Sequence, residues 1–188
     1  GCGVLASALA MDKLAAKDVF DKVGFPICKH RALFKFKYDE DREKAEASVE
    51  RELGYPCFVK PANMGSSVGI TKAHNKQEFY RACDLAFKYD KRLIIEEAVD
   101  AREIEAAVLG NAHPEVAVLG EIIPHGEFYT YESKYEDEAS VLKIPAQISE
   151  EMTEEIKKIA VQAFQAIDGE GYARVDFFVE KGTDRIFL

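Results

Sequence analysis

The stretch from Arg92 to Ile123 constrains the fold most, because three β-branched-rich runs, RLIIEEAV, EIEAAVLG and EVAVLGEII, follow one another with only turn-length breaks at Asp100 and Gly110-Asn111. Parallel neighbours need a crossover of about a dozen residues or more, so connections this short favour antiparallel pairing and an α+β chain over alternating βαβ units. Helical patterns flank the runs. Ser149 is positioned to cap a helix carrying Ile156, Ile159, Ala160, Ala163, Phe164 and Ile167 on one apolar face. Asn75 with Glu78 forms a capping pair ahead of Phe79, Ala82, Cys83 and Ala86. A charged segment from Asp39 to Leu53 carries Ala45, Val49 and Leu53 at helical spacing and reads as one surface helix stopped by Gly54. Gly24 and Pro26 stop a helix near Val23. Near the end, ARVDFFVE and RIFL read as a hairpin joined at KGTD.

Composition narrows the function classes. A chain of 188 residues, 47% hydrophobic and 31% charged, buries one substantial core or two small lobes. A net charge of −9 argues against broad attraction to nucleic acid or anionic membrane, so any polyanion site is local. Cys2, Cys28, Cys57 and Cys83 lack metal spacing and read as free thiols of a cytoplasmic protein. The opening GCGVLASALAM has no basic n-region and reads as a buried helix rather than a signal peptide, and no apolar run reaches membrane-spanning length. With no initiator Met and a last segment RIFL that stops inside a strand-like run, both ends read as cut.

One local feature carries chemistry. In FVKPANMGSSVGI a lysine, Lys60, leaves a strand end just before a loop of glycines and serines. Backbone N–H groups of such a loop can approach phosphate oxygens closely, and the ammonium adds a point charge. The same pattern also describes an ordinary turn, and neither GxxxxGK[ST] nor GxGxxG is present. Lys13 and Lys134 are further candidate cations or plain surface lysines. Glu96-Glu97 ends an apolar strand, where backbone meets an adenine edge or the carboxylates are merely solvated, and Glu103 and Glu105 share one strand face. Arg174 and Asp176 share a face of an otherwise apolar strand, either as an ion pair at a solvated edge or as a carboxylate offered to Mg2+ beside phosphates. The stretch from Pro124 to Pro145 is polar, tyrosine-rich and aperiodic, as functional loops are. No histidine has ligand spacing.

Taken in order, GVLASALAMDK, GYPCFVKPANMGSSVGI, EIEAAVLGN, GEIIP, FYTYESKY and ARVDFF resemble the D-alanine–D-alanine ligase family over essentially the whole chain. The resemblance implies an ATP-grasp fold in which two α+β lobes, antiparallel sheets packed with helices, clasp ATP; here the lobes would be residues 1–96 (small, central) and 97–188 (large, C-terminal, truncated). It implies that Lys13 and Lys60 contact the ATP phosphates, with Ser66 and Ser67 folding over them. Glu96, Glu97, Ala98 and Val99 would meet adenine, and Glu103 the ribose. Lys134 would reach the γ-phosphate, while Tyr129 and Tyr135 would belong to a loop closing the D-alanine site. Ser66, Tyr135 and Arg174 would act at the reacting groups, Arg174 on the developing oxyanion, and Asp176 would bind Mg2+ or Mn2+. The implied substrates are ATP and D-alanine, in peptidoglycan precursor synthesis in the cytoplasm, by proteins that are often dimers.

The chain also departs from the family pattern. The family's N-terminal domain and its Asn-Glu-x-Asn metal segment are missing, and Ala101 stands where glycine is usual. On that ground the isolated chain is expected to be inactive. Two alternatives remain at this point: another ATP-grasp carboxylate–amine ligase, which would keep Lys60 and Asp176 without FYTYESKY, and a nucleotide-binding fragment without turnover.

Overall fold

A computed structural model describes residues 1–123 and 141–188. It divides into two compact units, one of residues 11–14 and 28–98, the other of residues 1–10, 15–27 and 99–188. The cut after 98 lies beside the anticipated 96/97 boundary, whereas most of the first 27 residues group with the C-terminal half.

In the unit of residues 11–14 and 28–98, β1 (His30–Phe34), β4 (Arg92–Glu97), β2 (Cys57–Pro61) and β3 (Thr71–Ala73) form, in that spatial order, an antiparallel sheet. Strand alternation puts Leu33, Cys57, Val59, Ala73, Leu93 and Ile95 on one face. That face is buried under Tyr38, Val49, Phe79, Ala82, Cys83 and Ala86. These come from α3 (Lys35–Glu40), α4 (Arg42–Glu52) and α5 (Lys76–Ala86). The capping pair forms as anticipated: the Asn75 side chain accepts from the Gln77 and Glu78 N–H groups, and Glu78 reaches back to the His74 N–H. The single helix expected over Asp39–Leu53 is instead two. Asp41 leaves helical geometry (φ −157°, ψ 87°) and turns its carboxylate onto the Lys44 N–H, so a local side-chain acceptor caps α4 and ends α3.

In the other unit, the described strands run β10 (Ile186–Phe187), β9 (Gly171–Glu180), β5 (Ala101–Gly110), β7 (Gly120–Ile123), β8 (Val141–Lys143), with β6 (Glu115–Val116) on β5. RLIIEEAV therefore belongs to the first sheet, and the next two runs to this one. The β5–β9 ladder extends from Ala101↔Glu180 to Gly110↔Gly171. Its face of Ile104, Ala106, Val108, Phe177 and Val179 packs against Ile156, Ile159, Ala160 and Phe164 of α6 (Glu150–Ala166), which Ser149 caps through the Met152 N–H.

Two N-terminal helices, α1 (Val4–Met11) and α2 (Lys13–Val23), precede β1. The C-terminus of α2 closes as its glycine predicts. Gly24 (φ 91°) donates to the Asp21 carbonyl, Phe25 donates to that of Phe20, and the Phe20 and Phe25 rings meet edge to face at 5.9 Å. The expectation that the opening helix is buried fails: only Ala6 of α1 is buried, and Val4 is 89% exposed. Small apolar residues fill the helix, but only a narrow stripe of them finds a packing partner.

Candidate functional site

The face of the first sheet opposite its helices carries the charged residues. Phe58 and Lys60 of β2 alternate with the core residues Cys57 and Val59, and Ile94 and Glu96 of β4 alternate with Leu93 and Ile95. Phe58 pairs with Glu96 and Lys60 with Ile94, so Lys60 and Glu96 are diagonal neighbours and their side chains form an ion pair. Glu96 is only 5% exposed, so it is not a solvated strand end. An isolated buried carboxylate is costly, and the Lys60 ammonium is what makes its burial tolerable. Lys60 and Lys72 both lie over the Phe58 ring, at 5.4 and 5.9 Å from its centroid. Lys72, on β3 next to the loop, was not legible as a site residue because it looks like any surface lysine.

The loop between β2 and β3 is ordered by two successive turns. The Val68 N–H donates to the Gly65 carbonyl and the Ile70 N–H to that of Ser67, both at 3.1 Å. The central residues of the first turn, Ser66 and Ser67, have φ of 51° and 58°. Positive φ at both positions is the type I′ pattern, which glycine and asparagine usually serve. Two serines held there cost on the order of 1 kcal/mol or more each and persist because the surroundings hold them. Such turned backbone directs successive N–H groups toward one side, the concave geometry that binds anions.

Lys13, the first residue of α2, clasps the start of this loop. Its N–H donates to the Ala62 carbonyl, and its ammonium donates to the carbonyls of Pro61 (3.3 Å) and Met64. Burial, followed by the charge of Lys60, holds the Lys13 pKa below the usual lysine value, against the opposing pull of Glu96, Asp12 and Asp90. Two like charges held together in partial burial mark a place that an anion would relieve. Lys13, Lys60, Ser66 and Ser67 thus lie in or beside one loop and its flanking strand, with Glu96 as the counter-ion of Lys60.

The backbone past Glu96 is largely committed. The Glu97 N–H donates to the Lys29 carbonyl, the Glu97 carboxylate accepts from the Lys29 N–H at 2.8 Å, and the Ala98 N–H donates to the Pro56 carbonyl. A ligand edge meeting Glu97 and Ala98 would therefore find their carbonyls rather than those N–H groups. Val99 falls in the other unit.

In that other unit, the sheet face turned away from α6 carries Glu105 of β5 and Arg174 and Asp176 of β9. Arg174 grips Asp176 through two parallel bonds of 2.7 and 2.9 Å and lies 3.1 Å from Glu105. β10 pairs with β9 only at Phe178 and Val179, so among the described residues Arg174 and Asp176 lie where β9 has β5 alone beside it, each more than half exposed, which fits the ion-pair reading of the sequence. Glu103 shares the face by alternation. Among the described residues no group of three or more His, Cys, Asp or Glu could hold a metal. Two hard carboxylates, Asp176 and Glu105, still fit a magnesium ion that takes one or two protein oxygens and completes its shell with phosphate and water. Tyr129, Lys134 and Tyr135 lie outside the described residues.

All four cysteines are free, and burial pushes the Cys57 thiol up to about 12, which keeps that thiol protonated at neutral pH. Among the described residues no helix is long and apolar enough to cross a membrane.

Comparisons with known proteins give the family and the fold. A family model described as D-ala D-ala ligase C-terminus matches residues 19–188. The chain is 50% identical over its full length to a D-alanine–D-alanine ligase of Chloroherpeton thalassium, and covers 51% of that protein. It is 51% identical over 183 residues to that of Bacillus pumilus, covering 97% of the chain and 51% of the relative. The chain thus spans about half the length of the curated relatives it matches. Among solved structures, the VanG D-Ala:D-Ser ligase from Enterococcus faecalis superimposes with a TM-score of 0.86 at 35% identity, over 100% of this chain and 53% of that one. The D-alanine-D-alanine ligase from Coxiella burnetii gives 0.82 at 32% identity, over 99% and 48%. With the family model covering nearly all of its length and ligase structures superimposing on its α+β fold, the chain belongs to the D-alanine–D-alanine ligase family of ATP-grasp proteins.

Proposed function

We propose that this chain is the ATP-binding portion of a D-alanine–D-alanine ligase acting in the cytoplasm in peptidoglycan precursor synthesis, as one subunit of a homodimer. The observation that carries the reading is the convergence of Lys13 and Lys60 on a loop whose Ser66 and Ser67 are held at positive φ. Cations and directed N–H groups around a turned loop suit a polyphosphate, and the Lys13 pKa is lowered first by burial and second by the Lys60 charge, both of which phosphate oxygens would offset.

In this reading, Lys13, Lys60 and the 65–70 turns hold the ATP phosphates, with Lys134 reaching the γ-phosphate. The carbonyls of Glu97 and Ala98 and the backbone of Val99 meet adenine, and Glu103 accepts from the ribose hydroxyls. The terminal phosphoryl group passes to the carboxylate of one D-alanine, giving ADP and an acyl phosphate. The amine of a second D-alanine attacks that carbonyl carbon, the C–O bond to phosphate breaks, and dipeptide and inorganic phosphate leave. Arg174 stabilises the oxyanion formed at the carbonyl, and Ser66 and Tyr135 position the reacting groups. Asp176 and Glu105 would hold Mg2+, which when bound neutralises phosphate charge. Loop closure through Tyr129 and Tyr135 keeps water from the acyl phosphate.

Phosphate release from ATP in a full-length ligase carrying these residues tests the reading. D-Alanine as sole amino acid should drive release. No stimulation by D-alanine, or equal stimulation by D-lactate as second substrate, would refute the assignment. The D-Ala:D-Ser ligase among the structural neighbours makes D-serine the necessary comparison.

A further inference from the structure

The loop that follows β2 is gripped from outside by two residues to which neither the sequence reading nor the proposed reaction gives a role. Tyr89 and Asp90 form the turn between α5 and β4, where the N–H groups of both donate to the Ala86 carbonyl. One carboxylate oxygen of Asp90 accepts from the Asn63 N–H at 2.9 Å, where the loop begins, and the other from the Arg92 N–H at 3.1 Å, where β4 begins. The adjacent Ala62 N–H donates to the Arg92 carbonyl, so loop entrance and strand are tied side by side. At the loop's exit Gly69 lies against the Tyr89 ring. A Cβ built there would come within 2.7 Å of Tyr89 Cδ2 and 3.0 Å of Pro61 Cγ, with φ at 71°. Only glycine fits between ring and proline in that conformation.

We propose that the Tyr89-Asp90 turn is a brace that holds both ends of the phosphate-binding loop, so that Ser66 and Ser67 keep their positive φ before ligand arrives. This rests on the reading of residues 62–70 as a phosphate loop. Tyr89 and Asp90 are positioning residues: they touch the loop's backbone ends and act on phosphate affinity through the loop. A preformed loop spares the ligand the ordering entropy of several residues, which would otherwise weaken binding. The arrangement predicts a selective defect, because adenosine, lacking phosphates, does not use the loop.

The test measures calorimetric binding of ATP with Mg2+ and of adenosine to the whole chain, together with amide exchange over residues 62–70. The variants are Asp90→Ala, Asp90→Asn, Tyr89→Ala and Tyr89→Phe. Asp90→Ala and Tyr89→Ala should weaken ATP binding about tenfold, leave adenosine binding unchanged, and speed exchange in the loop while β2 and β4 stay protected. Tyr89→Phe keeps the packing ring and should bind like the parent; Asp90→Asn keeps one acceptor oxygen and should fall between. If the parent binds ATP and both alanine variants match it, the brace is wrong. An equal loss of ATP and adenosine, with exchange rising in β2 and β4, also overturns it, since the residues then serve only general stability. If the parent binds no ATP, the phosphate-loop reading itself falls and the brace falls with it.

Discussion

Replacing Lys60 by methionine removes an ammonium paired with the nearly buried Glu96 carboxylate while keeping most of the side-chain volume. Glu96 has a side-chain exposure of 6% and Lys60 of 16%, so the pair is largely out of water. Removing one partner of a fully buried pair costs about 3–5 kcal/mol, because a desolvated charge is left uncompensated. Two features lower the figure here: Lys60 keeps some solvent, and Lys13, whose charge is coupled to Glu96, supplies part of the lost attraction. The expected loss is about 2–3 kcal/mol, equivalent to roughly 5–10 °C in midpoint for a chain of this size. Urea unfolding of the parent, Lys60→Met, Glu96→Gln and the double variant measures it. The double variant should be more stable than the sum of the single losses implies by about 1–2 kcal/mol, since Gln leaves no charge to desolvate. A loss under about 0.5 kcal/mol for Lys60→Met, or strict additivity, would refute the account of Glu96 as a carboxylate held by Lys60.

The remaining predictions concern the other charged groups. Lys13 has a folded pKa below 10.5, so the unfolded chain binds more protons in the window between the two values. Its contribution to stability therefore rises as pH climbs through the folded pKa. Lys13→Met should flatten that rise in unfolding measured from neutral pH to about pH 10, and should weaken ATP binding about tenfold; an unchanged slope would contradict the crowding with Lys60. The Glu121 carboxylate, gripped by Arg102 at 2.7 and 2.8 Å, is held below the usual carboxylate value. Its contribution is fully present above about pH 4.5 and lost as pH falls through the lower folded pKa, so Glu121→Gln should cost roughly 1–2 kcal/mol at neutral pH and shrink that acid limb. Lys35→Ala breaks an exposed pair with Asp39 one helical turn away and a contact of the ammonium with the Phe87 ring at 5.5 Å, and should cost a few tenths of a kcal/mol to about 1 kcal/mol with ATP affinity intact.

The parts of the fold visible in the sequence are those specified by neighbours. The Asn75 and Ser149 caps, the Gly24 stop and the β9–β10 hairpin each rest on residues within a few positions of one another. Features set by distant partners were not visible. β1 (HRALF) has no clear alternation and is a strand because β4, over sixty positions later in the chain, pairs with it. The first residues group with the C-terminal half through contacts such as the Leu188 N–H to the Pro26 carbonyl, which no local pattern announces. The same division holds at the site. The glycines and serines after Lys60 marked the loop, whereas the burial of Glu96 and the grip of Asp90 on Asn63 depend on sheet register and on a turn contributed from elsewhere. Lys13 stood out only through the family resemblance, since DKLAAK is locally an ordinary helix start.

Calorimetric titration of ATP with Mg2+ into the whole chain, beside Lys60→Ala and Lys35→Ala, tests the central claim most directly. The account predicts saturable binding at one site, at least tenfold weaker in Lys60→Ala and unchanged in Lys35→Ala. No binding by the parent, or equal affinity in all three proteins, would contradict it.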